Sequence, residues 1–137
     1  MELNPVDINQ FAARSFSIWS DKWMLLTAGS YDLKKYNCMT ISWGSIGIMW
    51  NKPFVQVVVR PTRYTYQFIN EFSDFTLCVF PDQYHAQLLE LGSSSGRDMD
   101  KINHSGLTPI KATIAVAPVY EEAELIIECR KIYWQNL

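Results

Sequence analysis

The chain has 137 residues, of which 48% are hydrophobic and 14% aromatic; this excludes disorder and is enough for one domain, residues 1–137, with a single core. Charged residues make up only 19% and the formal net charge is −2, so there is no broad field for nucleic acid or an anionic membrane, and any anion has to be held locally.

The N-terminal "MELNPVDINQF" has no basic flank leading into an apolar stretch, so no signal peptide is expected, and no apolar run is long enough to span a membrane. "WMLLTA" (residues 23–28) predicts a buried strand, followed by a polar loop. "CMTISW" (38–43) alternates, with Cys38, Thr40 and Ser42 on one face and Met39, Ile41 and Trp43 on the other. "GSIG" then predicts a turn into "IGIMW". "NKP" predicts a second turn into "FVQVVVR" (54–60), a β-branched run expected to lie deep in a sheet. Thr62 is the expected N-cap of a helix carrying Thr65, Phe68, Ile69 and Phe72. A strand, "DFTLCVF", ends at Pro81. "DQYHAQLLELG" predicts a second helix from an Asp82 cap to a Gly92 stop. "SSSGRDMDKINHSGL" has no periodicity, and strands are expected around "KATIAVAPV" and "ELIIECRKIYW". Short turns between strands, with helices as excursions, predict a mainly β antiparallel barrel rather than a parallel sheet. The final strand is expected to leave that barrel short of closure. Cys38, Cys78 and Cys129 lie in separate apolar runs without paired spacing, so reduced, buried thiols in a cytoplasmic protein are expected.

Two arginines, Arg60 and Arg63, flank the predicted helix start, where backbone amides already carry partial positive charge. Cations there are mildly unfavourable unless an anion joins them. With the hydroxyls of Thr62 and Thr65 they form a pattern suited to a phosphate. The Cys38, Thr40 and Ser42 face could equally underlie a flat heteroaromatic ring or pack beneath a helix. In "GSSSGRDMDK", serines, Arg97 and Lys101 could wrap an anion, although a solvated loop explains the stretch as well and no P-loop order is present. His85 and His104 have no partners at metal-ligand spacing, so no metal is expected. No G-x-S-x-G serine and no dinucleotide fingerprint occurs, and no catalytic residue can be assigned.

"YNCMTISWGSIGIMWNKPFVQVVVRPTRYTYQFI", "SSSGRDMDK" and "GLTP", in that order, resemble the flavin reductase-like family of FMN-binding split-barrel proteins, in particular its flavoredoxin-like branch. The similarity runs from about Trp23 to about Tyr133. It implies a six-stranded antiparallel Greek-key split barrel and a homodimer with non-covalent FMN near the subunit interface. Carried over by position, Asn37, Cys38, Met39, Thr40 and Ser42 would line the ring and ribityl chain. Arg60, Arg63, Tyr64 and Thr65 would surround the phosphate, and Ser95, Gly96 and Lys101 would close the site. The implied activity is that of an oxidoreductase passing electrons from NADH or NADPH through FMN to an acceptor. The alternative is a flavin carrier or truncated remnant without turnover. Members of this family continue beyond the "ECRKIYW" strand, so this chain would be either truncated or closed differently.

Overall fold

β1 (Met24–Ser30) is buried at all seven positions, because it lies inside a four-stranded antiparallel sheet with both faces covered. A computed structural model describes residues 2–136. The sheet order is β2 (Lys35–Ile41), β1, β5 (Asp74–Val79) and β8 (Leu125–Arg130). β1 pairs Leu25 with Thr40 and Thr27 with Cys38 on one side, and Leu25 with Cys78 and Leu26 with Leu77 on the other. Alternation along β1 divides the apolar interior in two. Leu25 packs with Cys38, Cys78, Phe80, Leu88 and Leu91, whereas Met24, Leu26 and Ala28 pack with Met39, Ile41, Phe68 and Leu77.

The first side is covered by α3 (His85–Ser93) and α4 (Lys101–Ser105). On the second side lie α1 (Ser17–Ser20), α2 (Thr65–Glu71) and the hairpin of β3 (Gly44–Met49) with β4 (Lys52–Val57). A further short pair, β6 (Pro109–Ile110) and β7 (Val119–Tyr120), follows α4. The result is mainly β, with six longer strands and helices inserted between them, as expected.

Several local expectations are corrected. "GSIG" does not turn but forms most of β3, and the reversal falls at Trp50–Asn51, both with positive φ (51° and 59°). Mirror-image two-residue turns require that backbone, and neither residue is a glycine, so no local signal marks the reversal. The "FVQVVVR" run is only half-buried, because β4 pairs with β3 alone and just one face of that hairpin meets the interior. α2 begins at Thr65 rather than at Thr62, since residues 60–63 close a separate turn through Arg63 N to Arg60 O at 3.0 Å.

Gly92 does not stop α3 but lies within it, where a Cβ would press against Thr40. α4 was not anticipated; the Asp100 carboxylate caps it by accepting from Asn103 N at 3.3 Å, and Gly106 closes it in the left-handed conformation. Residues 111–117 form no strand. Carboxylates replace the ladder there: Glu128 accepts from Ile114 N and Ala115 N, both at 2.7 Å, and Asp74 accepts from Val116 N at 2.8 Å and Ala117 N at 3.3 Å.

Candidate functional site

A cavity of about 270 Å³ opens between the 61–65 turn and the loop that follows α3; its walls are Asn37, Thr62, Arg63, Tyr64, Thr65, Ser94, Ser95, Arg97, Asp98 and Lys101. Its floor is fixed by β2. Asn37 is buried, and its amide Nδ2 donates to Thr65 Oγ1 at 2.8 Å and to the Cys38 carbonyl at 3.3 Å. Thr65 is buried too, so the start of α2 is tied to the central sheet by a polar contact with little access to water. Gly96 lies flush against this pair, and a Cβ there would collide with the Asn37 side-chain carbonyl, so the loop can approach β2 so closely only with glycine at this position.

Three cations surround the hollow. Lys101 is 5% exposed, and its ammonium donates to the carbonyls of Leu91 and Ser94, both at 3.0 Å. Burial pushes its pKa below the ordinary 10.5, the nearby Arg63 adds to that, and Cys38 opposes it. Arg63 donates Nη2 to the Gly92 carbonyl at 3.2 Å, so the end of α3 holds it in place. Arg97 reaches from the loop to the opposite wall, donating Nη1 to the Thr62 carbonyl at 3.1 Å with its guanidinium 5.1 Å from the Tyr64 ring centroid. Thr62, Ser94 and Ser95 are on the same walls, although the Ser94 hydroxyl donates to the Glu90 carbonyl at 2.9 Å. Cations converging with hydroxyl donors on one small hollow suit a phosphate-sized anion, and these groups are side chains, so the fit does not depend on the two-turn helix α2.

Of the residues carried over from sequence, Asn37, Arg63, Tyr64, Thr65, Ser95 and Lys101 line this cavity, with Gly96 against Asn37. Five others do not. Cys38 is fully buried beneath α3, where burial raises its thiol to about 11. Thr40 donates its hydroxyl to the Leu88 carbonyl at 2.5 Å. On this face, helix packing is what the structure contains. Met39 points to the opposite interior, and Ser42 is exposed beyond the end of β2. Arg60 lies 5.4 Å from the Trp43 ring centroid at the surface, apart from the cavity.

Thr62 and the serines and Arg97 of the 93–97 stretch could hold an anion on sequence grounds but are not all carried over by the resemblance. Of these, Thr62, Ser94 and Arg97 join the walls, and Asp98 joins them without any sequence signal. For Ser94 and Arg97 the signal was "SSSGR", whose spacing alone does not separate a wrapped loop from a solvated one. Among the described residues no cluster suits a metal ion, and no helix is long and apolar enough to cross a membrane. His85 stacks on Trp23 at 3.9 Å between centroids, and His104 lies 3.7 Å from Glu90.

Comparison with known proteins agrees with this architecture. Flavoredoxin of Desulfovibrio vulgaris (Miyazaki F) has the same fold, with a TM-score of 0.76 at 24% identity over 98% of this chain and 69% of that one. Flavoredoxin from Methanosarcina acetivorans superposes with a TM-score of 0.74 at 25% identity, covering 100% of this chain and 68% of its own. The fold is that of the split barrel. The uncharacterized protein YddH of Escherichia coli (strain K12) is 28% identical over 108 residues, which are 78% of this chain and 57% of that protein. The chain thus spans little more than half the length of the curated relatives it matches. The flavin reductase like domain matches residues 20–133, and this chain belongs to that family.

Proposed function

We propose that the chain binds FMN non-covalently, with the flavin phosphate in the Asn37–Lys101 cavity, and that it acts as a flavin reductase-like oxidoreductase with NADH or NADPH as donor. The observation that carries this reading is the convergence of Arg63, Arg97 and Lys101 with hydroxyl side chains in one hollow of a flavin reductase-like chain. When bound, the flavin supplies the hydride and electron transfer. The residues of the chain bind and orient it. Arg63 and Lys101, held by backbone carbonyls of α3 and its following loop, present fixed positive charge to the phosphate. Asn37 and Thr65 lock the floor, so little reorganisation accompanies binding.

α3 covers the Cys38 and Thr40 face, which leaves the ring to rest outside the interior of one chain. The exposed apolar side chains Trp43, Ile48, Met49 and Trp50 lie along the β3–β4 hairpin, and the Trp43–Arg60 pair joins that hairpin to the turn leading into Arg63. A homodimer that covers this surface and shelters the ring between copies is part of the proposal.

The test is a visible spectrum of the purified protein with added FMN, followed by rapid mixing with NADH or NADPH. Flavin absorbance that travels with the protein and bleaches on mixing with either nicotinamide supports the oxidoreductase. Bound flavin that neither nicotinamide reduces leaves a flavin-binding protein without this activity. Absence of bound flavin overturns the reading.

A further inference from the structure

Arg97 lines the cavity on one side and faces solvent on the other. Both of its contacts, the Thr62 carbonyl and the Tyr64 ring, belong to the facing wall, more than 30 residues earlier in the chain. The base of its loop is also fixed. Arg97 N donates to Ser95 Oγ at 3.2 Å, Asp98 N to Ser95 O at 3.1 Å, and Lys101 clamps the Leu91 and Ser94 carbonyls. The guanidinium is therefore a bar anchored at both ends across the rim. Asp98 stands beside it on the same cavity wall.

We propose that Arg97 is the end wall of the cavity and selects a terminal phosphomonoester over a phosphate that continues into a second group, so that FMN is taken in preference to FAD. This rests on the reading of the cavity as a flavin phosphate site. A phosphomonoester ends at its phosphate and fits a hollow that the Arg97 side chain bars at the rim. In a diphosphate, the second phosphate and the adenosine must pass through the rim, where Arg97 now bonds to Thr62. Charge acts in the same direction, because the FMN monoester brings about −1.5 to −2 to the hollow and each phosphate of FAD only about −1, so loss of a cation also narrows the ratio. The wall is therefore read from Arg97→Lys, which keeps the charge and loses the planar fork.

The experiment is equilibrium titration of wild type, Arg97→Ala and Arg97→Lys with FMN and with FAD at one ionic strength, with thermal unfolding run on each variant. Wild type is expected to hold FMN at least about ten-fold tighter than FAD, and Arg97→Ala to bring the two within about three-fold. Arg97→Lys restores the charge without the planar fork, so it recovers affinity for both flavins but not the full preference. An unchanged ratio in Arg97→Ala, or a wild type that binds FAD as tightly as FMN, overturns the wall and leaves the flavin site standing. If neither flavin binds wild type, both proposals fall. Whether or not Arg97→Ala folds, the ratio in Arg97→Lys decides: a narrower ratio supports the wall and an unchanged one overturns it.

Discussion

At the scale of single residues, the site depends on buried polar groups that are each given a partner. Lys101 could not remain charged at 5% exposure without the Leu91 and Ser94 carbonyls, because an ammonium in an apolar setting without acceptors would shed its proton. Even so, burial holds its pKa below the ordinary 10.5. Between that depressed value and 10.5 the unfolded chain binds more protons than the folded one, so the contribution of Lys101 to stability rises with pH across the interval. Flavin binding has the opposite sign. A phosphate favours the ammonium, so in that interval FMN must bind together with a proton, and its affinity falls as pH rises. Riboflavin, which has no phosphate, lacks this dependence. Titrations of both ligands across the alkaline range check the point. The expected result is a slope for FMN that Lys101→Gln removes, and equal slopes for the two ligands would contradict it.

At the scale of elements, the strands of the central sheet could be read from sequence because alternation and β-branching are local properties that burial rewards directly. β1 from Met24, the strand β2 over Lys35–Ile41 and the end of β5 at Val79, two residues before Pro81, agree with that reading. What could not be read depended on distant partners. "KATIAVAPV" has strand composition, yet residues 114–117 are held by Glu128 and Asp74 from β8 and β5, contacts without any signature in the segment itself. The loop 94–98 likewise becomes a cavity wall only because Gly96 meets Asn37, nearly sixty residues away. The half of the site on the 61–65 turn was legible from Arg63, Tyr64 and Thr65. The ring-lining set was not, because whether a small-residue face lies open or beneath a helix depends on α3. Glu128→Ala is expected to destabilise the chain by roughly 1–2 kcal/mol, below the full value of two charge-assisted hydrogen bonds because water reaches Ile114. Urea unfolding measures the loss, and amide exchange locates it. Faster exchange at Ile114 and Ala115 is the expected outcome, and unchanged exchange there would contradict the carboxylate clamp.

At the scale of the whole molecule, the two apolar interiors on either side of the β1-centred sheet make a stable frame, and the site lies where a turn and a loop cross at its edge. The frame leaves Trp50 92% exposed at the tip of the β3–β4 hairpin, beside Ile48 and Met49. A large apolar tip in water is costly unless something covers it. If a second copy does, sedimentation equilibrium should return twice the 15.9 kDa chain mass, and Trp50→Asn should shift the population toward the single chain. A single-chain mass at micromolar concentration would contradict the dimer. The phosphate site carries the account as a whole, and a comparison of FMN and riboflavin binding to wild type and Arg63→Ala tests it most directly. Wild type should prefer FMN, and Arg63→Ala should weaken FMN by about ten- to a hundred-fold while riboflavin changes little, the loss of one charge-assisted hydrogen bond being worth about 1.5–3 kcal/mol. Equal affinities in wild type, or an equal loss for both ligands in the variant, would show that no phosphate sits between these walls.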